Sequence, residues 1–403
     1  MKRLQILFVL ILFTTCCLFP GLVFSLDFGL LVDQRIEAEN KLFTYTPGFI
    51  PWFSWNGGQD LSAYLSGIFS FKYNNYGGDM ADYSGWTQPA LVFELSRFMM
   101  NYRINSALTL DAGRMGYTDV LGFAASGLFD GVHAEMATAM GSLNGVLFYS
   151  GLMYKETAKI LMTKADKANL AKPWGSEDFG SYFASRRLLT AARWDMPLKE
   201  TITLSAEFLA QFDLNSTDDK LHSQYTGVLM EFYPMSMLRL TFGALLNTQG
   251  NGDSIGASFG ALARAKMDVP GILNDWMGAT IKFTSGSEKN DLNIFTPISA
   301  VSQGSVYTGT NDGLMLIGVD YSIRIINSLF AEGALRYFIR TYEDAATDGS
   351  LYGGELWATL AWQPFDDIRA TLGCGAFFPG MGNVYPSGTD VMWKINAAVL
   401  LSF

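Results

Sequence analysis

Hydrophobic and polar residues alternate with a period of two along much of this chain. Residues 201–214, TITLSAEFLAQFDL, set Ile202, Leu204, Ala206, Phe208, Ala210, Phe212 and Leu214 against Thr201, Thr203, Ser205, Glu207, Leu209, Gln211 and Asp213. Successive side chains of an extended segment point to opposite faces, so this pattern predicts a strand with one apolar and one polar face. The run is more than twice the length of an average globular strand, about five to six residues. Residues 313–324, 329–342, 257–267, 276–284 and 61–73 repeat the pattern. In each, the charged residues share one face: Asp320 with Arg324, Glu332 with Arg336 and Arg340, Arg264 with Lys266. Segments 91–103 and 127–154 alternate less cleanly, and their facing stays open.

The connections alternate as well. Short turns are expected at 197–200, near Pro234, at Pro270-Gly271, at Ile326-Asn327 and at 364–367. Longer polar connections fall between them, the largest at 155–179, 286–312, 341–350 and 379–389. Short turns on one side and long loops on the other is the topology of membrane-spanning barrels. Trp194 and Trp362 sit beside short turns on the apolar face, and Trp276 beside another, as an interfacial aromatic girdle would require. Sixteen strands are expected from residue 61 onward. If segment 26–58 forms a hairpin the total is 18, the preferred count; if it forms a plug the total is 16. The fold expected is all-β, a single transmembrane antiparallel barrel, with no linker or composition break to mark a second domain.

Composition reinforces this picture. Of 403 residues 49% are hydrophobic, 14% aromatic and only 16% charged, which excludes disorder. The net charge of -10 argues against nucleic acid as a partner, and two histidines leave little for metal or His-based chemistry. Met1-Lys2-Arg3, the apolar stretch Leu4 to Phe24 and Val23-Phe24-Ser25 read as a signal peptide, residues 1–25, cleaved after Ser25. A lipoprotein signal ending at Cys16 or Cys17 and an uncleaved anchor helix are the competing readings. After cleavage at Ser25, residues 26–403 remain, and with Cys374 alone no intramolecular disulfide forms. No later apolar run reaches the ~18 residues of a membrane helix, so strands must do the spanning.

The last residues, VMWKINAAVLLSF, put Val391, Trp393, Ile395, Ala397, Val399, Leu401 and Phe403 on one apolar face. This resembles the terminal strand of bacterial outer-membrane barrels. The resemblance implies that the barrel-assembly machinery recognises Phe403, Leu401 and Val399 and inserts the chain into the outer membrane of a diderm bacterium. A barrel this wide leaves a lumen that wall side chains alone do not fill, and the architecture resembles porins. Residues 110–132, LDAGRMGYTDVLGFAASGLFDGV, look like a stretch of alginate-export and related porin-type barrels. There a strand ending in Gly-Arg is followed by an Asp, an extracellular loop and a Phe-Asp-Gly turn into the next strand. The matching positions are Gly113, Arg114, Asp119, Phe129, Asp130 and Gly131, with Met115 where Gln often follows Gly-Arg. The resemblance implies a diffusive channel and leaves the substrate open.

With polar faces turned inward, the expected pore lining is Arg187, Arg193, Arg239, Arg264, Lys266, Lys282, Arg324, Arg336, Arg340, Arg369 and Lys394, with Glu207, Asp213, Glu231, Asp320, Glu332 and Glu355. That set is basic by five charges, which would favour anionic solutes. The alternative is that these groups pair across strands and stiffen the wall. With a basic lining and an acidic chain, the surplus acid is expected in loops, turns and the less clear strands, at residues such as Asp218, Asp219, Glu288, Asp291, Asp344 and Asp348. The sequence thus reads as an outer-membrane channel for passive diffusion of small hydrophilic solutes, in contact with membrane lipids. Other readings are a fatty-acid-transporter-like barrel for hydrophobic ligands, with 26–58 as its hatch, and a barrel-anchored adhesin. No catalytic site, cofactor or metal is expected: His133, with Glu135 and Asp130 nearby, lacks a nucleophile elbow.

Overall fold

Backbone pairing joins the alternating segments into one antiparallel sheet of 18 strands. The computed structural model describes residues 25–40, 42–76, 90–172, 179–216, 220–269, 275–287, 291–342 and 349–403. Residues 1–24 of the expected signal peptide 1–25 and loop residues Asp218, Asp219, Glu288, Asp344 and Asp348 lie outside them, as does the turn at Pro270-Gly271. In chain order the strands are β1 (Ser25–Glu39), β2 (Leu42–Asn56), β3 (Leu61–Tyr76), β4 (Ala90–Arg103), β5 (Leu108–Thr118) and β6 (Ser126–Thr138). Then come β7 (Gly141–Tyr149), β8 (Arg187–Lys199), β9 (Ile202–Asp213), β10 (His222–Met235), β11 (Leu238–Gly250) and β12 (Ile255–Val269). The last six are β13 (Asp275–Thr284), β14 (Leu314–Ile326), β15 (Leu329–Arg340), β16 (Leu351–Phe365), β17 (Ile368–Phe378) and β18 (Met392–Ser402).

Each strand pairs with its sequence neighbours, and β1 pairs with β18, so the sheet closes on itself. Leu31 stands opposite Ser402, and Leu30 and Phe403 exchange backbone bonds of 3.1 and 2.9 Å beyond it. Segment 26–58 therefore contributes the hairpin β1–β2 to the wall, which settles the count at 18 rather than 16.

Register fixes the two faces. Phe208, Thr226, Leu246 and Phe259 stand in one row across β9 to β12, and the three apolar members are 46–54% exposed. Val319, Leu335 and Leu356 continue that outward face on β14 to β16. An apolar exterior around a closed wall belongs against hydrocarbon. Trp194 and Trp362 face outward with it. Trp276 does not: it opposes Asp268 on the inward face, and the Lys266 ammonium sits 4.2 Å from its ring. A cation–π contact inside the lumen, not a lipid interface, holds this tryptophan.

Short turns at 57–60, 104–107, 139–140, 200–201, 236–237, 327–328 and 366–367 collect at one end with Ser25 and Phe403. Long connections collect at the other, notably 119–125, 150–186, 285–313 and 379–391. Among its described residues, loop 150–186 carries two α-helices, α1 (Lys155–Ala158) and α2 (Lys164–Ala171). The hydrophobic core lies inside the barrel at this loop end. Phe123, Ala124, Met153, Ile160, Phe295 and Ile298 from three loops pack on inward Phe129, Phe148, Leu189, Leu209, Tyr225 and Leu245 from the wall. A second cluster sets Val306 and Tyr307 against Phe338, Trp357 and Phe377.

Candidate functional site

The lumen narrows where three loops fold into it. Loop 119–125 is built around Asp119, which is 2% exposed. Its carboxylate accepts the backbone N–H groups of Leu121, Phe123, Ala124 and Ala125 at 2.7–3.3 Å. One side chain thus satisfies four donors that a folded-in loop would otherwise bury unpaired. The loop reaches across to β9, where Val120 donates its N–H to Glu207 Oε2 at 2.6 Å and Tyr117 donates its hydroxyl to Oε1 at 2.9 Å. It then lies along Gly227, Gly243 and Gly260 on β10, β11 and β12. A Cβ at these positions would sit 2.8, 3.0 and 2.8 Å from Val120, Leu121 and Phe123. Three glycines on adjacent strands make the groove that seats the loop.

Loop 285–313 holds this first loop in place. Ile298 donates its N–H to Ala124 O at 2.6 Å, and Asn311 Nδ2 donates to Phe123 O at 3.3 Å. Its far part is anchored on β16, where the Glu355 carboxylate accepts the N–H groups of Ser305, Val306 and Tyr307 at 2.8–2.9 Å. Arg336 Nη1 donates to the same carboxylate at 2.8 Å. Loop 150–186 is pinned by Arg187, which is 0% exposed. Its guanidinium bonds Asp166 at 2.5 Å and also pairs with Asp213. Asp166 belongs to a capping box with Thr163 at the start of α2, so the ion pair ties this helix to β8 and β9.

These anchors divide the expected pore lining. Arg187, Glu207, Asp213, Arg340 and Glu355 lie under the loops, each less than a tenth exposed. Arg193, Glu231, Arg239, Arg264, Lys266, Lys282, Asp320, Arg324, Glu332, Arg336, Arg369 and Lys394 stand on the inward face of the wall. Several are paired: Arg193 with Asp195 at 2.8 Å, Arg239 with Glu231, Lys394 with Glu37 at 2.9 Å. Arg336 and Arg340 do not form one site, since the first serves Glu355 and the second lies beside the rings of Tyr342 and Tyr352. Among the described residues Arg264, Lys266 and Lys282 make no ion pair. They neighbour one another on β12 and β13, and Lys282 Nζ lies 5.7 Å from the Phe123 ring.

Sequence reasoning missed much of the charge on β1 to β8. Asp27, Asp33, Glu37, Glu39, Glu94, Asp111, Glu135 and Asp195 face inward there, as does Asp268 on β12. Arg35, Lys72, Arg97 and Arg103 are the bases added. Nine acids against four bases cancel the basic excess read from the sequence, so the wall carries its positive charge as a local patch.

His133 belongs to a polar chain across the inward face. Asn101 Nδ2 donates to Asp111 at 2.7 Å, His133 lies 3.0 Å from Asp111 and 3.1 Å from Asn144, and Asn144 Nδ2 donates to Asp195 at 3.3 Å. Asp130 is not part of it: it faces the other way and forms two bonds of 2.7 and 2.8 Å with Arg114. The Gly-Arg pair lies inside β5, with Gly113 at a φ of +128°. Phe129-Asp130-Gly131 lies inside β6, not in a turn, because Arg114 and Asp130 are register partners.

No protein-family model matches the chain, and no curated protein matches its sequence. Solved structures do share its architecture. Pseudomonas aeruginosa OccK5 (OpdH) superposes with a TM-score of 0.61 at 10% identity, covering 94% of this chain and 98% of that one. The outer membrane protein opdK of the same organism gives 0.60 at 12% identity, covering 94% and 99%. OprD, also from P. aeruginosa, gives 0.55 at 11% identity, covering 94% and 95%. At these identities what is shared is the fold: the chain is an 18-stranded transmembrane barrel like theirs, over nearly the whole of both chains.

Proposed function

We propose that this protein is a porin-like channel of the bacterial outer membrane, through which small hydrophilic solutes diffuse passively. The short turns face the periplasm and the long loops the exterior. Its partners are membrane lipids, the barrel-assembly machinery during insertion through Phe403, Leu401 and Val399, and the solutes themselves. The observation that carries the reading is a closed wall, apolar outside, whose interior combines a charged lining with anchored loops. The likeness to the outer membrane protein opdK supports the same membrane. The roles of Arg187 and Glu355 are structural, since both spend their charge on loop anchorage.

Selectivity rests on Arg264, Lys266 and Lys282, neighbours on β12 and β13 with no carboxylate partner among the described residues, of which Lys282 stands against Phe123 of loop 119–125. Clustered bases at a constriction favour anions. In a planar bilayer under a KCl gradient the refolded protein is expected to show stable steps with an anion-selective reversal potential. Changing all three bases to glutamine should move that potential toward zero. A cation-selective wild type would overturn the anion reading, and a folded barrel with no conductance would overturn the channel.

A further inference from the structure

The wall opens between β4 and β5. β4 and β5 pair only from Phe98↔Arg114 to Arg103↔Thr109. Toward the loop end, β4 residues 90–97 pair with β3 alone and β5 residues 115–118 with β6 alone. Among the described residues no strand takes the open edge of β4. An unpaired edge in hydrocarbon leaves backbone groups without partners, which a spanning barrel cannot tolerate. Here side chains replace the missing strand. Arg114 Nη1 donates to Leu95 O at 2.5 Å, and the Tyr182 hydroxyl donates to Phe93 O at 2.5 Å. Burial and nearby Glu94 push the Tyr182 hydroxyl up to about 12, so it remains a donor. Arg114 also donates to Leu152 O at 3.1 Å, and so binds loop 150–186 into the gap.

A slot of about 590 Å³ runs along this seam. Its walls are the outward side chains Leu91, Phe93, Leu95 and Phe98 with Leu152 and Phe183 of the loop, and Arg114 lies at its base. Phe93 and Leu152 are 54% and 59% exposed, on the part of the wall that faces the bilayer. Met153, next to Leu152, is fully buried in the luminal core, so the slot is separated from the lumen by one residue of loop.

We propose that this seam binds one alkyl chain of a membrane lipid, from the leaflet at the loop end. The medium against the slot is lipid, its lining is apolar, and its volume falls in the range of ligand pockets, roughly 300–1,000 Å³. The chain completes the wall where β5 is absent. Another outward groove, of about 600 Å³, lies over Met277, Val319, Leu335 and Leu356, each paired to both neighbouring strands, and serves as the internal control.

The test is native mass spectrometry of the barrel extracted from phosphatidylethanolamine–phosphatidylglycerol vesicles through successive detergent exchanges. Wild type and Leu335→Trp should retain one lipid per barrel after the rest are stripped. Leu152→Trp, which fills the slot, should lose it, and Phe93→Trp from the opposite side should lose it too. Heat-modifiable migration on gels checks that each variant is folded. Retention by both slot variants, loss by Leu335→Trp, or a wild type carrying no residual lipid would overturn the proposal. None of these outcomes depends on whether the lumen conducts ions.

Discussion

Replacing Arg187 with alanine is expected to release loop 150–186 from the lumen. The guanidinium and both carboxylates it joins, Asp166 and Asp213, are 0% exposed. Removing one partner of a buried pair leaves uncompensated charge and costs about 3–5 kcal/mol. Here two carboxylates would be stranded at once. The barrel ladder itself does not depend on this contact, so the loss should fall on the loop. Limited trypsin digestion is the measurement: Lys155, Lys159, Lys164 and Lys167 should become cleavable while the barrel stays heat-modifiable. A second variant separates charge from packing. Arg187→Met combined with Asp166→Asn and Asp213→Asn removes all three charges and should keep the loop protected better than alanine alone. Equal protease resistance in wild type and Arg187→Ala would show that the ion pair does not hold the loop.

Asp119→Ala should have the second large effect. Four backbone N–H groups bond to that carboxylate inside the lumen. Each buried donor left unpaired costs about 1–3 kcal/mol. Loop 119–125 has an escape that the wall lacks, because it can swing out of the glycine groove and hydrate its donors. Unitary conductance should therefore rise, with more frequent switching between levels, while the strand content seen by circular dichroism stays the same. Asp119→Asn keeps one acceptor oxygen and should fall between the two. Unchanged conductance in the alanine variant would mean that this loop does not limit flow.

The strands were legible wherever the inward face carries polar side chains. Residues 202–213 alternate because Phe208 and its neighbours face outward while Ser205 and Glu207 face the lumen. Alternation fades in β6 and β7 because inward Phe129 and Phe148 pack against the plugging loops and are as apolar as the outward Val132 and Leu147. With both faces apolar, a period of two carries no phase. Glu94 and Arg97 on β4 and Glu135 on β6 went unassigned because they lie in the segments 91–103 and 127–154, whose alternation is not clean. Asp33-Gln34-Arg35 breaks the pattern of β1 in another way: Gln34 turns outward, where its side chain accepts a bond from the Tyr45 hydroxyl at 2.5 Å. The Arg187 anchor needs a contact with a helix 21 residues back in the chain, which no local spacing encodes. Arg114 and Asp130 were legible as a motif, but their geometry as register partners on adjacent strands was not.

The bonds between Leu30 and Phe403 carry a consequence for how the protein is made. They join residues almost the whole chain apart, so the closing contact has the largest loop entropy of any in the sheet. Folding dominated by such distant pairings is slow. Until β18 meets β1, the growing sheet keeps two sticky margins that would recruit other copies. Newly synthesised chain must therefore be held apart from its own kind during transit, and the final few residues decide when that custody can end.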